Sequence, residues 1–359
     1  MALTVEVDGT RYNQAISMSV KRSIENATGS FYLTTSSQED NLIPVKRGSR
    51  IRIFADDQVV LTGFAETVAV QYSSTTHTIS VSGRDVTADL VDSSVINALE
   101  FQGPIEFTSI IRSVLDSLNM QSVGIVNEAG TIEPFTEIDF VSADVGERAF
   151  DFLNRYASKR QVLLTTDGRG NLLIVRGRGS RLPVRLVYGK NILSAMAYYD
   201  DTGRFNRYTI QSQLNPLNLD SSVAPEAISD QNGEAVDSAI RNRRVSVMES
   251  SASMESSDCI RLANLESNLR RVNGFNYTVT VQGHSIPGFD GIWTTNRSVE
   301  VEDPLTDVNG TLLIKSCKWY YSLDSGSTTE LVLTYIDAYT IQAEVDRLEA
   351  QINSFGGSF

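Results

Sequence analysis

Two cysteines and two histidines in 359 residues leave little material for several kinds of chemistry. Cys259 and Cys317 lie far apart, with no CxxC or Cys/His spacing around either, so neither a disulfide framework nor a zinc site is indicated. Both read as reduced, packed residues. His77 sits among Ser and Thr at an expected hairpin tip and His284 in the turn "QGHSIPG". Both are expected to be exposed loop histidines, far apart and without a nucleophile elbow, which argues against a catalytic triad. Long apolar runs are missing too. No stretch approaches the roughly 18 residues a membrane helix needs, and "MALTVEVDGTRYNQ" lacks the basic and apolar regions of a signal peptide. Cytoplasmic synthesis without membrane insertion is the expectation.

Positive charge is also short, with 31 basic residues against 44 acidic ones and a net charge of −13. That balance argues against a protein that holds nucleic acid by neutralising phosphates, and leaves an acidic wall that repels them as the alternative. Only 8 prolines and 41% apolar residues fit an ordered chain of two or three domains.

What the chain does contain is alternation. "SMSVKRSI", "GSFYLTTS", "SRIRIFADD", "VVLTGFAETVAVQYS" and "HTISVSG" have period two and are separated by turn residues, predicting a small antiparallel barrel or sandwich over 1–90. A mixed α/β domain is expected over 91–182. "TSIIRSVLDSLNM" and "VGERAFDFLNRYASKRQ" carry one-sided apolar spacing, and "VLLTTDGRGNLLIVRGRG" reads as a hairpin. Strand texture returns in 183–213 and 275–338 as a second barrel. An insert with a helix near "ESSDCIRLANLESNLRRVNG" occupies 214–274, and a helix and tail fill 339–359. The fold class is therefore mainly β, with two related antiparallel barrels, a mixed α/β domain and a smaller inserted domain.

The two strand-rich regions align. "FAETVAVQYSS" lies without a gap on "LIKSCKWYYSL", pairing Val68 with Cys317, Val70 with Trp319 and Tyr72 with Tyr321. "HTISVSGRD" then lies on "TELVLTYID" if the second hairpin loop is about three residues longer, which equates Asp85 with Asp337. "SIENATGSFYLTTS" likewise resembles "YYDDTGRFNRYTIQS". A duplicated barrel is the reading.

The polar cluster in "HTISVSGRDVTADLVDSS" is the best candidate for a site. Asp85 and Asp337 each follow a last strand and precede helical sequence, where a carboxylate can cap a helix. Gly83, Arg84, Asp89 and Asp92 belong to the first exit only, and Arg84 is expected to pair with Asp89 or Asp92. Other candidates dissolve into structure. The "DD" pairs at 56–57 and 200–201 are turns, and Asp144 with Glu147 reads as a capping box. "DGRGNLLIVRGRGSR" has neither dinucleotide-loop spacing nor interleaved aromatics. Trp319 and Tyr321 share one strand face, opposite Tyr320, as a barrel core would. No catalytic, cofactor-binding or metal residues are assigned.

The same junction "VSGRDVTADLVDSS", with "LLTTDGRGNLLIVR" and "NILSAMAYYDDTGRFNRYTIQSQ", resembles the baseplate hub proteins of contractile-tailed, Mu-like bacteriophages. Those are related to the hubs of T-even phages and to the hub part of type VI secretion spike proteins. The resemblance spans about 1–345 and rests mostly on the order of elements. It implies a non-enzymatic virion protein of the tail baseplate, assembled in the host cytoplasm. It further implies a homotrimer whose six barrels join the six-fold tail tube, or a tube-initiator protein, to a three-fold central spike, among other baseplate proteins. DNA would pass through without specific binding, along a bore expected to be lined by carboxylates. A tailocin or other contractile particle without DNA passage is the alternative within this architecture; a glycan-binding or glycan-hydrolysing β protein is the alternative outside it.

Overall fold

The computed structural model describes residues 3–13, 15–36, 43–74, 77–96, 99–136, 141–213, 230–249, 256–340 and 344. Residues 214–229 of the expected insert, and most of the C-terminal helix and tail, lie outside these residues.

The N-terminal repeat comprises β1 (Leu3–Val7), β2 (Thr10–Tyr12), β3 (Ser17–Ser23), β4 (Ser30–Ser36), β5 (Arg50–Ala55), β6 (Gln58–Tyr72) and β7 (His77–Asp85). Then come α1 (Ala88–Asp92), β8 (Leu99–Phe101), α2 (Phe107–Ser117), β9 (Gly124–Asn127), β10 (Val141–Ala143), α3 (Ala149–Lys159), β11 (Leu163–Thr166) and β12 (Asn171–Val175). After β13 (Arg181–Val187) and β14 (Ser194–Tyr199) follow β15 (Arg207–Gln213), β16 (Asp230–Val236), β17 (Val245–Glu249) and α4 (Ser256–Asn273). The chain returns with β18 (Phe275–Gln282), β19 (Arg297–Asp303), β20 (Val308–Ser322) and β21 (Gly326–Tyr335).

One 13-stranded sheet runs through both repeats in the order β14-β18-β21-β20-β3-β4-β7-β6-β5-β1-β2, with β19 and β13 branching from β20. Its pairs are antiparallel except β13 with β19. Alternation explains the faces: Met18, Val20, Phe31, Leu33, Val81, Cys317, Trp319, Leu331 and Tyr277 are buried, while their neighbours in sequence point away.

Strand register establishes the duplication. A bulge at Glu66 interrupts β6 between Ala65↔Gly83 and Thr67↔Ser82, and a bulge at Lys315 interrupts β20 between Ile314↔Leu333 and Ser316↔Val332. Superposing the bulges reproduces the ungapped match of Val68 to Cys317 and Val70 to Trp319. It also corrects the last strand. Gly63↔Asp85 corresponds to Leu312↔Tyr335, so the counterpart of Asp85 is Tyr335, and Asp337 lies two residues beyond. The second hairpin is one residue longer, not three, since Tyr72↔His77 corresponds to Tyr321↔Ser327.

A second correction concerns residues 207–213. The counterpart of β4 is β18, because Tyr277 faces Leu333 as Phe31 faces Gly83. β15 instead forms a separate sheet with β16 and β17. The insert therefore leaves the large sheet after β14, where the first repeat has only its short β3–β4 turn.

The chain divides into two compact units, 1–197 with 277–336, and 198–276 with 337–359. Within the first, Leu90, Phe107, Ile110, Ile111, Phe135, Phe152, Leu153 and Tyr156 pack the mixed domain together with β11 and β12. α2 and α3 supply these side chains from one face each, as their spacing predicts. Within the second, Cys259, Leu262 and Ala263 of α4 pack on Tyr208 and Ile210.

Candidate functional site

The junction after β7 is built around two residues that point to opposite sides of the strand. Arg84, on the open side, donates to both Glu66 oxygens at 2.7–3.1 Å and to both Asp92 oxygens at 2.5 and 3.1 Å. The bonds to Asp92 and then Glu66 hold its guanidinium above its ordinary range, and they hold the Asp92 carboxyl below the usual carboxylate range. This clamp ties the β6 bulge to the last turn of α1. Asp89 lies exposed in the first turn of α1, and its backbone carbonyl accepts from Ser93 at 3.1 Å. Of the two expected partners Arg84 takes Asp92, and it adds Glu66.

Asp85, on the closed side, is buried. It accepts from Thr28 Oγ1 at 2.8 Å, the Gly29 N–H at 2.8 Å, the Thr87 N–H at 3.2 Å and Thr87 Oγ1. Burial pushes its carboxyl up, against the pull of those bonds. It is not the cap of α1: that position belongs to Thr87, and Asp85 stands two residues earlier, where its oxygen closes a turn onto Thr87. The one Thr87 hydroxyl proton is shared between Asp85 and the Ala27 carbonyl, 2.7 Å from Oγ1, so the chain leaving the repeat is fastened to its own β3–β4 turn. Gly83 makes the close strand approach possible. A Cβ there would lie 2.0 Å from the Phe64 carbonyl oxygen and 2.8 Å from the Phe31 ring. Asp337 belongs to the other unit and accepts from Arg271 at 3.3 Å. The structure thus joins Gly83, Arg84, Asp85 and Asp92 in one junction, leaves Asp89 beside it, and sets Asp337 apart.

Sequence reading missed Arg22, which is 5% exposed on β3. Its guanidinium donates to the Asp167 carbonyl and to Thr294 Oγ1 (3.0 Å), and lies 4.9 Å from the Trp319 ring centroid. One side chain therefore links the first repeat, the β11–β12 turn and the second repeat. Burial pulls Arg22 below its ordinary value and pushes the neighbouring Cys317 thiol up to about 12, which keeps that sulfur protonated and inert. The signal was present in the alternation, where Arg22 falls in phase with Met18 and Val20. Beside it, a cavity of about 460 Å³ is lined by Arg22, Arg169, Arg297, Asp167, Glu128 and Phe289, among others. Arg297 is paired with Glu128 at 3.2 Å, and Asp167 accepts from the Arg169 and Asn171 N–H groups.

The remaining candidates resolve into structure. His284 is buried rather than exposed, with Nδ1 3.1 Å from Thr329 Oγ1, and burial lowers its pKa to about 4. The turn that carries it is folded against β21. His77 is exposed and stacks on Tyr72. Glu147 reaches back to the Asp144 N–H at 3.2 Å as a capping box would, although α3 begins two residues later, at Ala149.

A duplicated strand unit is thus fastened by a hydrogen-bonded junction to an α/β domain, the plan that the sequence resemblance to tail-hub proteins implies. Comparison with known proteins agrees. Residues 2–85 match the model of the Mu phage baseplate assembly protein GpP-like N-terminal domain, and residues 87–176 match that of the baseplate hub protein gp44-like second domain. The chain is 24% identical over 349 residues to baseplate hub protein gp44 of Escherichia phage Mu, covering 96% of this chain and 90% of that one. It superposes on the 43 kDa tail protein of prophage MuSo2 from Shewanella oneidensis with a TM-score of 0.78 at 25% identity, covering 94% and 99% of the two chains. At the level of fold it also resembles the E. coli c3393 protein, a type VI secretion component similar to T4 tail proteins gp27 and gp5. That match has a TM-score of 0.55 at 11% identity and covers 92% of this chain and 76% of that one. Residues 2–85 and 87–176 thus carry domains of Mu-type baseplate proteins, and nearly the whole chain is similar to the baseplate hub proteins of Mu-like phages, structural components of the virion tail.

Proposed function

We propose that the protein is a non-enzymatic trimeric hub whose three chains close six sheet repeats into a ring, with the tail tube on one side and the central spike on the other. One observation carries this reading. The repeats of a single chain are already joined edge to edge, β20 to β3, through seven pairs from Ser316↔Ser23 to Ser322↔Ser17. Among the described residues each half of that joint has a counterpart with no such partner. There the far half of β6, after the bulge, pairs with β7 alone, and β14 ends the sheet.

The missing pair can be written down. Val70 corresponds to Trp319 by the shared bulge. Ala197 corresponds to Val20, because Leu193 donates to the Thr280 carbonyl as Ile16 donates to Thr34. Trp319 faces Val20, so Val70 of one chain should face Ala197 of the next, and Gln71 should face Met196. Val70 and Tyr72 are 63% and 79% exposed, and Met196 is 60% exposed. Such open, apolar edges call for a partner strand. A head-to-tail contact between unlike edges builds a ring when its rotation closes, and two repeats per chain let three chains meet six-fold neighbours.

Light scattering on the purified chain, alone and mixed with the spike protein, tests the proposal. A threefold mass in either sample is expected, and a monomer in both would overturn it.

A further inference from the structure

The sheet between the two open edges has one face packed on the core and one face open, and the open face has an unusual composition. Register converts it into rows across the strands. One row runs Thr67–Ser82–Tyr32–Ser19–Tyr320–Thr328–Gln282, and the next Ala69–Ser80–Thr34–Ser17–Ser322–Gly326. Hydroxyls dominate, and some satisfy one another, as Tyr32 does by donating to Ser80 at 3.0 Å. A third row, Arg84–Ser30–Lys21–Lys318–Glu330–Thr280, collects the charges. In it Arg84 is already clamped by Glu66 and Asp92, while Lys21 and Lys318 stand directly opposite each other with Glu330 beside Lys318.

An ordinary water-facing sheet of an acidic protein would carry carboxylates over this surface. Here these rows hold one carboxylate of the chain's 44 acidic residues, Glu330, with the bulged Glu66 beside them. We infer that this face is the wall of the channel past which double-stranded DNA moves, a neutral hydroxyl lining crossed by a single belt of lysines, Lys21 and Lys318. The inference rests on the ring proposed above, which sets the three copies of each row at one level around a common axis. It replaces the acid-lined bore expected from net charge alone. Hydroxyls release no counterions on meeting phosphate, so they give DNA no salt-dependent hold, whereas each lysine–phosphate contact does. Six lysines at one level would then hold or centre the duplex at that level and leave the rest of the bore slippery.

Two measurements on assembled particles test this. An azide photo-crosslinker on Ser19→Cys, irradiated during DNA release, should form DNA adducts, while the same reagent on Asp116→Cys of α2 should not. Separately, raising salt fourfold should speed release by roughly 3.5-fold per phosphate contact held, and this dependence should disappear in the double variant Lys21→Gln/Lys318→Gln. Trimeric hubs that give no adduct at position 19, or equal adducts at both positions, would overturn the channel-wall assignment and leave the ring standing. Release with unchanged salt dependence in the double variant would overturn the lysine belt. A chain that does not trimerise with its spike would instead overturn the reading on which both rest.

Discussion

Replacing Asp85 by Ala separates the parts of the junction. The carboxylate accepts four hydrogen bonds, but the losses are unequal. Thr87 Oγ1 keeps the Ala27 carbonyl, and Thr28 Oγ1 can turn to the Gly29 carbonyl at 3.2 Å. The Gly29 and Thr87 N–H groups lose their carboxylate acceptor inside the protein. Two orphaned buried donors cost about 2–6 kcal/mol, offset by release of a carboxylate that burial already disfavours. A net loss of about 2–4 kcal/mol is expected. The chain has two units, so the assay should be local: hydrogen exchange at residues 27–29 and 86–88, accelerated roughly 30- to 1000-fold in Asp85→Ala. Asp89→Ala, at an exposed position, should leave the same amides unchanged. Equal exchange in the Asp85 and Asp89 variants would refute the view that Asp85 is the buried pin of the junction.

Three other outcomes follow from the same geometry. Gly83→Ala should cost about 3 kcal/mol or more and reduce soluble yield, because its Cβ meets backbone rather than a movable side chain; Gly203→Ala, with open space around it, is the control. Asp92→Asn should change unfolding by less than about 1 kcal/mol, since the Arg84–Asp92 pair is largely exposed and Arg84 keeps Glu66. His284 gives a pH signature. Its pKa is about 4 in the folded chain against 6.5 unfolded, so the unfolded state binds the proton first. Stability is then full above pH 6.5 and falls by up to about 3 kcal/mol as pH drops toward 4; denaturant titrations of His284→Gln should lack this slope.

Much of the architecture was legible because alternation is a local signal. Met18, Val20, Val81 and Leu331 declare a buried face within a few residues, and Ile110 to Leu115 declare a helix. Register is not local. Asp85 and Asp337 look equivalent in sequence because both end a strand run, and only the bulges at Glu66 and Lys315 show that Tyr335 holds the matching place. The strand 207–213 alternates as well as β4 does, but pairing, which sequence does not record, assigns it to the inserted sheet. Arg22 was visible as a cation in a buried phase, yet its partners Asp167 and Thr294 lie 145 and 272 residues away. His284 was misplaced for a related reason: a turn rich in Gly, Ser and Pro reads as exposed unless the strand beneath it is known.

The central claim is that the open edges of neighbouring chains pair as β20 and β3 do within one. The direct measurement is cross-linking of assembled particles carrying Val70→Cys and Ala197→Cys with a short bis-maleimide, followed by denaturing electrophoresis. Dimer and trimer bands and nothing larger are expected, and none in either single variant. Monomer alone, in particles that contain the protein, would contradict it.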